Sequence, residues 1–270
     1  MEHTKLKNIY TCFPGGRHKA LTFSYDDGLE EDRRLVELFN RHGLRGTFNL
    51  NSGIENDPRR IPLAEYAMLY KGQEVACHTS RHPTISRCST EQVARQILED
   101  RMALEEAVGV PVRGLAYPNG SYNRKIMELL PLLGIRYARV VPTTGGFELP
   151  DNWFEWAGTC HHNQNLLDKG EDFLVRNKTQ YLNLMYVWGH SFEFALHDNW
   201  QVMEDFCAMM EGHDEVWYAT NIEIADYMDA ADRLQFTAAG DKVYNPSACD
   251  VWLEVEGQRA EVPGGTLTAL

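Results

Sequence analysis

The chain has 270 residues, 43% of them hydrophobic and 24% charged, which suits one large globular domain or a domain with a small appendage. Its formal net charge is -13 and its pI about 5.2, which argues against broad binding to nucleic acids or to an anionic membrane surface. No apolar run reaches the length of a membrane span, and no apolar leader follows Met1, so we expect a cytoplasmic protein. The six cysteines lack CxxC spacing, which favours reduced thiols.

Strands and helices alternate through the first half of the chain. The apolar run Lys19–Ser24 predicts a strand, and the charged segment Glu30–His42, with apolar residues at helical spacing, predicts an amphipathic helix that ends at Gly43. The same analysis predicts further strands at 46–51, 74–77, 114–117 and 134–138, and further helices at 61–71, 89–108 and 125–133. Such alternation is typical of an α/β fold with a mostly parallel sheet.

The pattern changes towards the C-terminus. We predict strands at 181–188 and 216–220 and helices at 200–211 and 221–234. From Gln235 onward, short β-like runs alternate with Asn-Pro-Ser, Glu-Gly and Pro-Gly-Gly turns. The sequence therefore predicts a main domain at 1–234 and a small β-rich extension at 235–270.

Polar residues with catalytic chemistry follow several of the predicted strands. Asp26 and Asp27 follow the first strand, just before Gly28. Because adjacent residues of an extended chain point to opposite sides, one carboxylate could bind a metal while the other holds or moves a proton. A helix N-cap or an Asp-Gly turn would explain this pair equally well when it is taken alone. His78 and His82 follow the strand at 74–77, and imidazoles at this spacing can close on one divalent metal ion.

Two later strands also end in candidate site residues. Tyr117-Pro-Asn119-Gly follows the strand at 114–117, and such a turn can direct backbone N–H groups at a developing oxyanion. Trp188-Gly-His190 follows the strand at 181–188, and His190 can serve as a general acid or as a buried core histidine.

In combination and order, these motifs resemble the polysaccharide deacetylase family, also called the NodB-homology domain or carbohydrate esterase family 4. Its Thr-Phe-Asp-Asp-Gly motif resembles the stretch Thr22–Gly28, with two residues inserted, and its His-(Ser/Thr)-x-x-His-Pro motif is intact at His78–Pro83. The resemblance covers about residues 17–230. It implies a distorted (β/α) barrel, typically with seven strands, that binds one divalent metal through Asp-His-His.

The resemblance also implies roles for individual residues. The metal ligands would be Asp27, His78 and His82, with zinc the preferred metal and cobalt, nickel or manganese as alternatives. Asp26 would be the general base and His190 the general acid. Tyr117, Asn119 and Trp188 are the candidates for binding substrate or the oxyanion.

Two parts of the family pattern are altered here. The family's third motif usually has an Arg that pairs with the base, but Ala116 stands at that position, so another cation would have to replace it. The acid and Trp that brace the acid histidine in the fourth motif have their best candidates in 151–156. His161 and His162 are not assigned as ligands, because adjacent loop histidines are more often solvated.

The resemblance implies a metal-dependent hydrolase that removes N-acetyl groups from an amino sugar in an oligosaccharide, glycan or glycoconjugate. An O-acetyl esterase, a hydrolase of non-sugar amides, and a barrel that only binds carbohydrate are the alternatives. We expect an acetylated carbohydrate as the partner and neither nucleic acid nor membrane.

Overall fold

The computed structural model describes residues 6–54 and 57–270, and these ranges contain the following elements. The α-helices are α1 (Asp32–Arg41), α2 (Tyr66–Leu69), α3 (Thr90–Val108), α4 (Arg124–Leu129), α5 (Leu166–Val175), α6 (Phe192–Leu196), α7 (Trp200–Met210) and α8 (Asn221–Asp232). The strands are β1 (Ile9–Cys12), β2 (Lys19–Asp26), β3 (Thr47–Leu50), β4 (Glu74–Cys77), β5 (Gly114–Ala116), β6 (Tyr137–Thr143), β7 (Trp156–Gly158), β8 (Cys160–His161), β9 (Asn183–His190), β10 (Val216–Tyr218), β11 (Gln235–Phe236), β12 (Lys242–Tyr244), β13 (Val251–Val255), β14 (Gln258–Val262) and β15 (Leu267–Ala269).

The centre of the molecule is a sheet of nine strands in the order β7-β6-β5-β4-β3-β2-β9-β8, with β10 pairing on the lower half of β2. Every described pairing in this sheet is parallel. Helices provide most of the crossovers, as parallel pairing requires. The predicted α/β class with a mostly parallel sheet is confirmed.

The two edges of this sheet meet along one short segment of chain. Strands β7 and β8 are separated only by Thr159, yet β7 pairs with β6 at one edge and β8 pairs with β9 at the other. The Thr159 N–H donates to Tyr186 O at 2.7 Å, while the Gly145 N–H donates to Thr159 O at 3.0 Å. When β7 and β8 are counted as one interrupted strand, the sheet has seven successive strands. Strand β10, which pairs with β2, is an additional strand.

Strand β2 is buried along its whole length. All eight of its residues are buried, and Leu21, Phe23 and Tyr25 belong to the main core with the inner faces of α1, α3 and α7. Both faces of the strand are covered, so its polar Thr22 and Ser24 have buried partners, Asn221 and Asn49. A second cluster packs α8 against the amino-terminal ends of the strands.

The C-terminal residues form two small antiparallel sheets. One has the order β1-β13-β14 and the other β11-β12-β15. The first strand of the chain thus pairs with a strand about 240 residues later, from Ile9 opposite Val255 to Cys12 opposite Trp252. The β-rich character of the extension agrees with the sequence analysis, and the boundary at residue 234 stays a prediction.

Several predicted elements differ from the observed ones. The helix at 61–71 is only a 3-10 turn followed by the short α2, and the helix at 125–133 is α4 continued by a 3-10 turn at Leu130–Leu133, where Pro131 disrupts α-helical bonding. The strand predicted at 134–138 is β6, which begins only at Tyr137 and continues to Thr143. Its start is later than predicted because Gly134 ends the preceding 3-10 turn in a left-handed conformation. Helix α5 and strands β7 and β8 are not predicted. Of the described residues, no helix is both long and apolar enough to cross a membrane.

Candidate active site

Four strands of the sheet direct polar side chains to one place. Asp26 is the last residue of β2, His190 is the last residue of β9, and the two are register partners. Asn49 of β3 is the register partner of Asp26 on its other side, and His78 follows β4 directly. Because all these pairings are parallel, the carboxyl-terminal ends of the strands share one edge, where sites of α/β proteins are built.

Asp27, His78 and His82 form a compact group at this edge, and one ligand atom from each lies within 4.8 Å of the others. His78 Nε2 is 3.1 Å from His82 Nε2, and both nitrogens are 3.9 Å from Asp27 Oδ1. The Nδ1 of His78 lies 2.8 Å from Ala116 O, so it carries the proton, and Nε2 presents a lone pair to the group. Burial lowers the pKa of His78, which keeps its ring neutral although Asp26 and Asp27 oppose the effect. Two imidazole nitrogens and one carboxylate are a donor set that suits zinc or a similar divalent ion.

The loops that carry these residues are held by other polar contacts. Asp27 and His82 have positive φ angles of 84° and 52°. The Arg60 guanidinium donates to the backbone carbonyl of Asp27 and, at 3.1 Å, to Asn51 Oδ1. The amide of Asn51 in turn donates to the carbonyl of His78 at 2.7 Å. Both histidines lie in the irregular segment between β4 and α3 and not on a helix.

Asp26 forms a buried ion pair with Arg139 of β6. The carboxylate is 3% exposed, and Asn49 Nδ2 donates to its Oδ1 at 2.9 Å. Burial by itself would raise the pKa of Asp26, but Arg139, His78 and His190 outweigh that effect and lower it to about 2. Asp26 is therefore ionised at any physiological pH.

Arg139 supplies the cation that is missing at Ala116. The two residues are register partners on neighbouring strands, so the guanidinium enters the site from β6 instead of β5. Arg139 is fully buried, and its guanidinium carbon lies 4.4 Å from the ring centre of Trp188. Arginine is rarely buried without an acidic partner. Its presence in the otherwise apolar first half of β6 was therefore a sequence signal that Arg139 pairs with a buried acid.

His190 lies between the two aspartates on one side and Glu193 on the other. Its Nε2 is 3.9 Å from Asp26 Oδ2 and 4.0 Å from Asp27 Oδ2, while its Nδ1 is 3.5 Å from Glu193 Oε1. Burial lowers the pKa of His190, but Glu193, Asp26 and Asp27 more than compensate, and the net shift is upward. The site thus favours the protonated ring.

Glu193 is the acid that faces His190, and the fourth-motif candidate at 151–156 is wrong in position. In that segment, Glu155 instead accepts from Tyr122 at 3.2 Å, and Trp153 packs edge-on against Trp156. The sequence reasoning missed Glu193, although its i,i+3 spacing from His190 at the start of a helix was a usable signal.

His161 and His162 complete the surroundings of Glu193. The Nε2 atoms of both rings lie 3.1 Å from Glu193 Oε2. His162 is 1% exposed and stacks between Tyr25 and Phe194, so the expectation that the pair is solvated is wrong. Burial alone would raise the pKa of Glu193, but the three histidines hold it well below its usual range.

This second cluster is better described as an acid–histidine group than as a second metal centre. His161, His190 and Glu193 are close enough to share an ion. However, the Asn163 N–H donates to His161 Nδ1 at 3.2 Å, so in the neutral ring the proton is on Nε2, which faces Glu193. A protonated nitrogen cannot coordinate a metal.

The three remaining candidates lie around the same edge. Tyr117 is 1% exposed, its hydroxyl donates to Phe154 O at 2.9 Å, and its ring stacks on Tyr122. Asn119 is at the exposed tip of the turn, with a φ of 56°. Trp188 is 6% exposed and lies over Arg139. Their roles stay predictions.

The combination defines the class of this protein: an α/β protein with a candidate metal centre at the carboxyl-terminal edge of a mostly parallel sheet. The sequence profile described as polysaccharide deacetylase matches residues 14–138. That range contains Asp26, Asp27, His78 and His82. Over this range, which is just under half of the chain, the sequence resembles the polysaccharide deacetylase family.

Curated relatives share only part of their length with this chain. The peptidoglycan-N-acetylglucosamine deacetylase PgdA of Listeria monocytogenes is 25% identical over 124 residues, which cover 45% of this chain and 26% of the relative. A chitooligosaccharide deacetylase of Rhizobium leguminosarum bv. phaseoli is 29% identical over 119 residues, which cover 43% of this chain and 50% of the relative. The chain therefore spans half or less of these relatives.

Solved structures share the fold over most of the chain. A Mycobacterium smegmatis protein assigned to the polysaccharide deacetylases aligns with a TM-score of 0.61 and 18% identity, covering 84% of this chain and 96% of that one. A family 4 acetyl xylan esterase from Clostridium thermocellum, in complex with a cobalt ion, aligns with a TM-score of 0.52 and 13% identity, covering 76% and 90%. At these identities the likeness establishes the fold alone.

Proposed function

We propose that this protein is a metal-dependent hydrolase that removes N-acetyl groups from an amino sugar in an oligosaccharide, glycan or glycoconjugate. The observation that carries the proposal is the convergence of Asp26, Asp27, His78 and His190, whose side chains approach one another to about 4 Å at one sheet edge. Deacetylation of amino sugars is also the activity named for two relatives.

Asp27, His78 and His82 would hold the ion. A bound divalent metal supplies Lewis acidity, polarising a carbonyl and making water acidic. Because His78 donates its Nδ1 proton to Ala116 O, its coordinating nitrogen is fixed in tautomer and direction before any ion arrives.

Asp26 would accept the proton of the attacking water. Arg139 and Asn49 hold its carboxylate in one orientation and keep it ionised. The ion pair also makes Asp26 a weak base in the resting state, so proton transfer relies on its placement beside an acidified water.

His190 would donate a proton to the leaving amine from Nε2, the nitrogen that faces the two aspartates. Glu193 Oε1 lies 3.5 Å from the opposite nitrogen, and its charge favours the protonated ring. An amine leaves readily only when protonated, which is why an acid is needed on this side.

The turn after β5 is the candidate oxyanion site. The N–H groups of Tyr117, Gly120 and Ser121 donate to backbone carbonyls, and Pro118 has none. This leaves the Asn119 N–H available to a developing oxyanion.

The first test measures metal content and acetate release together. We expect about one divalent ion per chain in the parent protein, and its loss in His82→Ala. The matched control is His197→Ala, which removes an exposed histidine outside the cluster and should leave the metal in place. Equal metal in the parent and His82→Ala would contradict the ligand assignment.

The second test uses Asp26→Asn with N-acetylated chitooligosaccharides, peptidoglycan fragments and O-acetylated xylan as substrates. We expect at least a 100-fold loss of acetate release from the N-acetylated substrates, with the metal retained. If the parent protein releases acetate from O-acetylated xylan but not from the N-acetylated substrates, it is an O-acetyl esterase instead. Glycan binding without acetate release would support the binding-only alternative.

A further inference from the structure

Two carboxylates lie fully buried behind the candidate site without facing its reacting groups. Asp100 is in the middle of α3, and Asp32 is the first residue of α1, and both are 0% exposed. Fully buried acids are rare unless polar partners compensate their burial, so the partners indicate why each acid is there.

One partner of Asp100 is the candidate metal ligand His78, and the other is Ser52 in the turn after β3. Its Oδ1 accepts from the Ser52 N–H at 2.8 Å and from the Ser52 hydroxyl at 2.7 Å. Its Oδ2 accepts from the backbone N–H of His78 at 3.1 Å, and the same N–H donates to Leu50 O at 3.0 Å. Asp100 is thus the side chain that contacts the His78 backbone, while Ala116 O fixes the ring.

One partner of Asp32 belongs to the turn that carries the candidate acid, and the other follows α2. Its Oδ1 accepts from the hydroxyl of Ser191, the residue that follows His190, and its Oδ2 accepts from the Tyr70 hydroxyl at 2.8 Å. Asp32 stands where a helix-capping acid could stand, but these two partners are hydroxyls from other parts of the chain. Ser191 is itself fully buried, so water is excluded from this contact.

We propose that these acids are positioning residues with separate tasks: Asp100 fixes His78 for metal binding, and Asp32 fixes the turn that carries His190 for proton donation. The proposal rests on the proposed function of the site. A buried carboxylate whose hydrogen bonds are all made restricts the movement of the backbone it contacts. Such restriction matters because a catalytic group must stay within about 0.5 Å of its productive position.

The Asp100 task is tested by metal affinity, which requires no turnover. Asp100→Asn retains the side-chain volume and one acceptor oxygen. Its N–H₂ group then faces either Ser52 or the His78 N–H, and it cannot accept the hydrogen bond that the lost oxygen accepted. We expect zinc affinity, measured by competition with a chromophoric chelator, to fall about 10-fold or more, as for other residues behind metal ligands. Ser52→Ala is the control: it removes a hydrogen bond to the oxygen that does not face His78 and should leave zinc affinity within about 2-fold.

The Asp32 task is tested by two hydroxyl deletions at the same carboxylate. Ser191→Ala removes the contact beside His190, and Tyr70→Phe removes the contact on the far side. We expect kcat to fall about 10-fold in Ser191→Ala, with KM and zinc affinity unchanged, and to stay near the parent value in Tyr70→Phe. Thermal midpoints show whether each variant is folded at the assay temperature.

Some outcomes would overturn the proposal. Zinc affinity equal to the parent in Asp100→Asn, or equally lowered in Ser52→Ala, would remove the Asp100 task. Equal kcat losses in Ser191→Ala and Tyr70→Phe would show that Asp32 acts only on stability. If Asp100→Asn does not fold, Asp100→Ser is tested in its place. The smaller side chain leaves room for a water molecule that can accept the hydrogen bond of the His78 N–H. A parent that binds zinc but releases no acetate would count against the proposed function, while the affinity test of Asp100 would still decide its task.

Discussion

A buried carboxylate lies at each end of the parallel sheet, but the groups around it are charged at one end and neutral at the other. At the carboxyl-terminal end, Asp26 faces Arg139 and the rings of His78 and His190, and its pKa is lowered to about 2. At the amino-terminal end, the donors that Glu74 of β4 has within residues 6–54 and 57–270 are all neutral. These are Thr47 Oγ1 at 2.7 Å, Tyr137 Oη at 2.8 Å and the Ile222 N–H at 2.8 Å.

The difference separates a structural acid from a reactive one. Burial raises the pKa of Glu74 to about 7, although its three hydrogen bonds oppose the shift. Its three hydrogen bonds join β4 to β3, β6 and α8. Around Asp26, by contrast, the Nε and Nη1 of Arg139 have no hydrogen-bond partner within the described part of the chain, and His190 is partly exposed. A site that must bind substrate leaves polar groups unpaired, whereas a structural network does not.

The largest effect is expected from Arg139→Met. Removing the cation leaves Asp26 buried and unpaired, which costs about 3–5 kcal/mol of stability. Burial then raises the pKa of Asp26, so the candidate base tends to bind a proton and turnover falls at least 100-fold. Urea unfolding and acetate release measure the two effects, and a variant with near-parent turnover would show that Arg139 is as structural as the partners of Glu74.

A smaller effect is expected from Glu193→Gln. Because Glu193 raises the pKa of His190, its loss lowers that pKa and reduces kcat about 10-fold. Activity needs protonated His190, so the decline of kcat at high pH moves to lower pH in the variant. The control is Glu204→Gln, which removes a surface partner of Arg34. An unchanged alkaline limb would argue that Glu193 does not act on His190.

The two ends also predict opposite dependences of stability on pH. Glu74 has a folded pKa of about 7, above the unfolded value of about 4.3, so its contribution is complete below pH ~4.3 and is lost as pH rises through 7. Asp26 has a folded pKa of about 2, below the unfolded value of about 3.9, so its contribution is complete above pH ~3.9 and is lost as pH falls through 2.

Glu74→Gln should therefore flatten the loss of stability between pH ~4.3 and 7 and leave the acid limb unchanged. Urea unfolding at a series of pH values measures both limbs. A parent curve with no decline over that interval would contradict the description of Glu74 as an acid that is protonated in the folded state.

The smallest effect is expected from Tyr137→Phe at the amino-terminal end. The variant leaves Glu74 with two of its three donors and should lose about 1–3 kcal/mol of stability. Its kcat and zinc affinity should equal those of the parent, because no site residue is a partner of the Tyr137 hydroxyl. A 10-fold loss of kcat would break the separation of the two ends.

Local sequence patterns were sufficient for much of the fold and for the core of the candidate site. The strand ends at Asp26, Cys77 and Ala116 could be located to within about two residues, because buried parallel strands are apolar runs followed by turn-forming polar residues. The capping box of α3, Ser89 with Gln92, was visible for the same local reason. Irregular elements were not: β7 and β8 are two or three residues long and have no periodicity to detect.

The sequence by itself determined which residue types stand at the carboxyl ends of the strands, because that follows from order along the chain. Only the tertiary structure decided which of them meet. Arg139 reaches Asp26 across 113 residues, and Asp32 reaches Ser191 across 159. β1 joins β13 from the opposite end of the chain. Such pairings depend on strand register and on the direction of each side chain across the sheet, and neither is recorded in a local pattern of residues.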